Sequence, residues 1–164
     1  MSEVFVALGS NLGDRQEHIA QAMRQIIDLP GCTNLKASSL YETSPMGPQA
    51  QPDYLNAACR FNCTLDPHEL LSVLKDIERQ HGRSQSTARW TARPLDLDIL
   101  LYGDQCIDTP TLTIPHMGLA SRSFVLWPLN ELDDSLVVPG LGSVRQLMEQ
   151  CERFGIKRYA DLQK

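Results

Sequence analysis

Two aspartates, Asp96 and Asp98, stand one residue apart in the otherwise apolar run from Leu95 to Tyr102. On a β-strand, residues two apart share a face, so both carboxylates converge on one side. Like charges placed this way repel, and each costs desolvation if it is buried. A divalent cation relieves both problems. No His or Cys stands nearby with ligand spacing, and hard oxygen donors suit magnesium, ordinarily held by one or two carboxylates plus phosphate oxygens. A solvated strand face would read the same way. Asp-x-Asp also occurs in metal-dependent nucleotide-sugar transferases, so the pair alone leaves the reaction open.

Cations gather next to it. Arg83, Arg89 and Arg93 crowd the polar stretch before the aspartates, with Trp90 among them. The planar guanidinium donates to phosphate oxygens from several N–H groups at once. A loop of this kind beside a magnesium site suits a lid over a polyphosphate; a solvent-exposed charged loop is the plainer alternative. His116 and Arg122 add two possible phosphate contacts downstream, although His116, after Pro115, is equally a loop histidine. Gly9-Ser10-Asn11-Leu12-Gly13 matches neither GxGxxG nor GxxxxGK[ST], and no lysine follows it. It is expected to be a tight turn that brings backbone close to a site. Tyr54 and Phe124 could sandwich a flat ring, with Asn56, two residues along the same strand face, bonding its edge. Core aromatics and a turn amide fit that spacing equally well.

The elements that must position these groups follow from periodicity and caps. Val4 to Leu8 reads as a buried strand leading into the glycine turn. Ile19, Met23, Ile26 and Ile27 give Asp14 to Asp28 a helical spacing, stopped by Pro30-Gly31. Leu35 to Thr43 and Tyr54 to Leu65 are strand candidates, separated by a Pro- and Gly-rich stretch too irregular for a crossover helix. Asp66-Pro67-His68-Glu69 opens a helix with an apolar stripe at Leu70, Leu71, Leu74 and Ile77, closed by Gly82. Leu95 to Tyr102 is a strand, and Ser143 to Cys151 a final helix. This alternation, with one strand pair joined irregularly, predicts an α+β fold with substantial antiparallel pairing and helices on the sheet faces.

The 164 residues are expected to form one domain, 1–164. A net charge of -5 offers no basic footprint for nucleic acid or an anionic membrane. The five cysteines are odd in number and lack CxxC or Cys/His metal spacing. They are expected to be structural thiols, and a cytoplasmic setting follows as the default. The N-terminus does not read as a signal peptide, and no run approaches the ~20 apolar residues of a membrane helix.

Four stretches carry a resemblance: VALGSNLGDR (6–15), YETSPMGPQAQPDYLNAA (41–58), RWTARPLDLDILLYG (89–103) and IPHMGLASRSFVLWPLNEL (114–132). In order and spacing they resemble the 6-hydroxymethyl-7,8-dihydropterin pyrophosphokinase family of folate biosynthesis over nearly the whole chain. The resemblance implies a ferredoxin-like α+β fold and a monomer that binds pterin and ATP side by side. Asp96 and Asp98 would hold two magnesium ions against the ATP phosphates. Tyr54 and Phe124 would stack on the pterin, Asn56 would bond its edge, and Thr43, Ser44 and Met46 would complete the pocket. Glu78, Trp90, Ile99, His116 and Arg122 would belong to the nucleotide side, with Arg83 and Arg93 on a catalytic loop. No residue stands out as general base; Asp98 is the candidate.

The chain also departs from the family pattern. Arg89-Trp90-Thr91-Ala92-Arg93 replaces the usual Arg-Trp-Gly-Pro-Arg and removes a preset turn. Gln85 and Thr111 stand where some members carry arginine, and Met117 where some carry tyrosine, which implies weaker nucleotide binding. The rival readings are an Asp-x-Asp sugar transferase and a non-catalytic pterin- or nucleotide-binding module.

Overall fold

Strand β1 (Ser2–Ser10) runs between two others, pairing antiparallel with β4 (Tyr54–Cys63) on one side and β5 (Asp96–Tyr102) on the other. The computed structural model describes residues 1–43, 53–82, 94–151 and 156–160. In the main sheet, β10 (Lys157–Ala160) pairs with β3 (Leu40–Thr43), and β3 with β4, giving the order β10-β3-β4-β1-β5. β2 (Cys32–Ala37) pairs with the far half of β4. Helix α1 (Arg15–Ile27) connects β1 to β2, and α2 (Pro67–Gln80) connects β4 to β5. Each crossover therefore joins parallel strands with a strand of the other unit inserted between them. This split arrangement is the ferredoxin-like α+β topology.

The helix boundaries follow from local chemistry. Asp14 accepts from the Glu17 N–H at the start of α1. Asp66 and Glu69 form a reciprocal capping box at the start of α2, with Pro67 in the first turn. One sheet face buries Val4, Val6 and Leu8 against Ile19, Ile26, Leu70 and Leu74 of these two helices. The other face meets α3 (Ser123–Leu132) and α4 (Val144–Gln150), where Phe5, Leu100 and Leu101 pack with Val125, Leu126, Leu129, Val144 and Leu147. Two short hairpins, β6 (Ile107–Asp108) with β7 (Thr113–Ile114) and β8 (Val137–Val138) with β9 (Gly142–Ser143), and a 3-10 turn at Leu119–Ser121 complete the described structure. None of the five cysteines is in a disulfide. Burial, together with the neighbouring Cys63 thiol, pushes the Cys32 thiol up to about 12. No helix is long and apolar enough to cross a membrane, among the described residues.

Two expectations need correction. Gly9 and Ser10 are not a turn: β1 continues through Ser10, with Gly9 paired to Asn56 on one side and to Asp96 on the other. The segment 35–43 is not one strand either. It breaks at Ser38-Ser39, where the Ser38 hydroxyl accepts the Ala58 N–H (2.9 Å) and the Ser39 N–H donates to the Glu131 carboxylate (2.8 Å). Side chains there take over the ladder's hydrogen bonds, and the chain shifts its pairing along β4.

Helices α1 and α2 also meet through polar groups at the C-terminus of α2. His81 Nε2 lies 2.8 Å from Gln25 Oε1, and its Nδ1 lies 2.8 Å from Nδ1 of His18. With Nε2–H donating to Gln25, Nδ1 accepts from His18, which requires His81 to be neutral. Burial, and secondly the neighbouring His18, hold its pKa below the ordinary 6.5. The unfolded chain therefore takes the proton more readily than the folded one. This contribution is complete above pH 6.5 and is lost as pH falls through the lower folded value. A urea midpoint that drops between about pH 7.5 and about pH 5.5, with His81→Gln reducing the drop, is the expected result. An undiminished drop in the variant would remove His81 as its origin.

Candidate active site

The site lies on the α3 side of the sheet, at the ends of β4, β1 and β5. Directly paired residues of antiparallel strands point to the same face, so register defines two rows across it. One row runs Asn56, Gly9, Asp96; the next runs Ala58, Ala7, Asp98. Each row ends in a carboxylate and has small residues in the middle. The result is a trough with Gly9 and Ala7 in its floor, part of a cavity of about 520 Å³. At Gly9 a Cβ would stand 3.1 Å from Asn56 Oδ1 and 3.7 Å from Tyr54 Cδ1. Glycine in this strand interior therefore marks a close approach of side chains from β4.

At one end of the trough Asn56 is 6 % exposed and its Nδ2 donates to Thr43 Oγ1 at 2.8 Å. That bond sets the amide orientation and leaves Oδ1 directed to the Gly9 side as an acceptor. Tyr54, two residues along β4, and Phe124, near the start of α3, are half-buried and line the same end.

At the other end, Asp96 is half-buried and Asp98 is exposed, both lining the cavity, while the intervening Leu97 is buried in the opposite core. β5 is the edge strand here, and its outward Leu97 N–H would lack a ladder partner. Buried Glu78 of α2 supplies one, accepting that N–H at 2.8 Å. The carboxylate ties α2 to the backbone between the two aspartates. Ile99 is 2 % exposed and serves both the core and the cavity wall.

His116 and Arg122 close the side of the trough. The His116 N–H donates to the Leu100 carbonyl (3.0 Å), fastening this segment to β5 after the cis Ile114–Pro115 bond. His116 Nδ1 accepts the Gly118 N–H at 3.1 Å, so the ring proton sits on Nε2, which lies 3.9 Å from Asp98 Oδ1. The Arg122 guanidinium lies against Gly118, where a Cβ would come within 2.6 Å of it, and 5.8 Å from the Phe124 ring centre.

Thr43, Tyr54, Asn56, Glu78, Asp96, Asp98, Ile99, His116, Arg122 and Phe124 thus line one cavity. Ser44, Met46, Arg83, Trp90 and Arg93 lie outside the described residues. Gly9 lines the cavity too, as backbone expected close to a site, and so do Leu71 and Lys75, which residue type alone does not mark. Leu71, Lys75 and Glu78 fall four and three residues apart, one helical stripe beside the core stripe of Leu70, Leu74 and Ile77. That spacing was a usable signal for Lys75. Exposed Thr111 and Met117 are also on the rim.

A group of three or more metal-ligating side chains is absent among the described residues. Two carboxylates facing an open cavity without thiolate partners suit a hard cation whose remaining ligands come from substrate oxygens and water.

This fold and site define a ferredoxin-like α+β protein with one cavity at the ends of its central strands, lined by two carboxylates, an imidazole, a guanidinium and two aromatic rings. The comparisons narrow the class. Residues 5–134 match the family model described as 7,8-dihydro-6-hydroxymethylpterin-pyrophosphokinase (HPPK). The chain is 41 % identical over 150 residues to the 2-amino-4-hydroxy-6-hydroxymethyldihydropteridine pyrophosphokinase of Haemophilus influenzae, covering 92 % of this chain and 93 % of that one. It is 39 % identical over 158 residues to the enzyme of the same name from Pseudomonas aeruginosa, covering 96 % and 97 %. The crystal structure of wild-type Plasmodium falciparum HPPK-DHPS with pteroate superposes with a TM-score of 0.72 at 15 % identity, over 91 % of this chain and 42 % of that one. The chain belongs to the HPPK family and is a pyrophosphokinase.

Proposed function

We propose that this protein transfers the terminal diphosphate of ATP to the hydroxymethyl group of 6-hydroxymethyl-7,8-dihydropterin, releasing AMP. The observation that carries this reading is the row Asn56–Gly9–Asp96, which sets an amide acceptor and a carboxylate at opposite ends of one trough. Asn56 Oδ1 accepts from the pterin's N–H edge, held in that orientation by Thr43. Tyr54 and Phe124 cover the ring faces. The substrate's hydroxymethyl arm then extends over Gly9 toward the aspartates.

The hydroxyl oxygen forms a bond to the β-phosphorus while the bond from that phosphorus to the bridging oxygen of AMP breaks. AMP leaves with the bridging oxygen and the electron pair of the broken bond, and the hydroxyl proton passes to solvent water. Such a transfer depends on alignment and charge neutralisation. Asp96 and Asp98 would hold two magnesium ions, which when bound offset the phosphate charge and orient its oxygens. His116 donates through Nε2 toward phosphate, and the Arg122 guanidinium pairs with its oxygens. Glu78 keeps the Asp96–Asp98 backbone in place through the Leu97 N–H. By the family resemblance, Arg83, Arg93 and Trp90 would serve ATP and Ser44 and Met46 the pterin. The protein works as a monomer in the cytoplasm, a setting consistent with five cysteines outside any disulfide.

Incubation with Mg-ATP and the pterin, followed by nucleotide chromatography, tests the reading. AMP and the pterin diphosphate in equal amounts are expected. Binding of both ligands without AMP would identify a non-catalytic module, and transfer from a nucleotide sugar with release of a nucleoside diphosphate would identify the sugar-transferase alternative.

A further inference from the structure

Arg15, the first residue of α1, does not line the cavity, yet its guanidinium grips two strands that do. Nη1 donates to the Asp53 carbonyl at 2.8 Å, and Nη2 pairs with the Glu42 carboxylate at 2.9 Å. The side chains of Arg15 and Glu42 are 23 % and 15 % exposed, so this pair is largely withdrawn from solvent. The same guanidinium lies 5.8 Å from the centre of the Tyr159 ring.

Glu42 precedes Thr43 on β3, and Asp53 precedes Tyr54 on β4. Thr43 and Tyr54 are directly paired, the end rung of the β3–β4 ladder, and both line the cavity. The two nitrogens of one planar fork therefore fasten both strands at that rung, one through a side chain and one through a carbonyl. Thr43 in turn holds the Asn56 amide at 2.8 Å. A strand end frays when its last rung is unsupported, and here fraying would move an aromatic face and the group that orients the amide.

We infer that Arg15 is a positioning residue for the ring-binding end of the cavity: it clamps the Thr43–Tyr54 rung and sets affinity for the pterin without touching it. This rests on the proposed assignment of that end to the pterin. The aspartate end sits across β1 on β5, so affinity for ATP and the rate of transfer are independent of the clamp.

Steady-state kinetics of the full chain test this. Arg15→Ala is expected to raise the pterin KM about tenfold, with kcat and the ATP KM within about twofold of wild type. Arg15→Lys should keep most of that rise, because a single ammonium cannot occupy both nitrogen positions of the fork. Glu42→Gln, which keeps a hydrogen-bonding group but loses the charge, should give a rise of about threefold. An unchanged pterin KM in Arg15→Ala, parallel rises in both KM values, or full recovery with lysine would each overturn the inference. Should Arg15→Ala not fold, Glu42→Gln decides alone, an unchanged pterin KM sinking the proposal. Wild-type protein that makes no AMP with the pterin would instead refute the functional reading itself.

Discussion

Asp96→Ala and Asp98→Ala are each expected to lower turnover about a thousandfold, close to 4 kcal/mol of transition-state stabilisation. The two carboxylates share one face of an edge strand and line the same cavity as His116 and Arg122, so removing either takes a negative charge from the proposed magnesium site. Stability should change little, because Asp98 is exposed and Asp96 only half-buried. The loss should fall on kcat, while the pterin KM stays within about threefold, since Asn56, Thr43 and Tyr54 lie beyond β1. Asparagine at either position should recover only a small part of the rate, keeping an oxygen ligand without its charge. AMP production near the wild-type level by either alanine variant, measured with saturating Mg-ATP and pterin, would refute the role given to this pair.

Asn56→Ala is expected to raise the pterin KM about a hundredfold, or near 2.7 kcal/mol, and to leave the ATP KM unchanged. Asn56 is buried and already committed to Thr43, so its remaining acceptor is aimed rather than free to rotate. Deleting it leaves the substrate's N–H edge desolvated and unpaired, which costs more than the hydrogen bond contributes. The Thr43 hydroxyl also loses its donor. Asn56→Asp separates the effects: it retains an acceptor on the Gly9 side but removes the N–H that binds Thr43. Its pterin KM should lie between wild type and alanine. Equal ATP and pterin effects in either variant would show that the residue supports the sheet rather than reads the ring.

The extent to which these arrangements were legible beforehand varied with the range of the signal. Both long crossover helices could be read locally, α1 from its apolar spacing and the Pro30-Gly31 stop, and α2 also from Asp66, Pro67 and Glu69, which act within their own turn. The strand that carries Asp96 and Asp98 was clear from its apolar context. The break at Ser38-Ser39 was not, because its cause is a hydroxyl bonded to β4 and a carboxylate arriving from α3, both distant in sequence. Gly9 was read as a turn because glycine is the commonest punctuation of a chain. Its real neighbours, Asn56 and Asp96, are 47 and 87 positions away, and only the sheet register brings them together. The two-residue hairpins are too short to show any period. Within the site, the aspartates, the Tyr54–Asn56 pair, His116 and Arg122 were candidates from residue type and spacing, each beside a plainer reading. Thr43, Glu78 and Ile99 came through family resemblance, since each acts through a contact with another element. Lys75 was overlooked because it lies just off the apolar stripe of its helix.

The row Asn56–Gly9–Asp96 also works as a ruler. Its outer members belong to strands on either side of β1, so their backbones are held two interstrand spacings apart, about 10 Å. Hydrogen bonding along the sheet sets that interval, and exchanging side chains in the trough leaves it unchanged. A bicyclic ring with a one-carbon arm can lie across such a gap and still present its oxygen to the acidic strand. A longer arm would overshoot and a ring without one would fall short. On the proposed placement of the pterin, selectivity for the length of the acceptor would be set by backbone geometry.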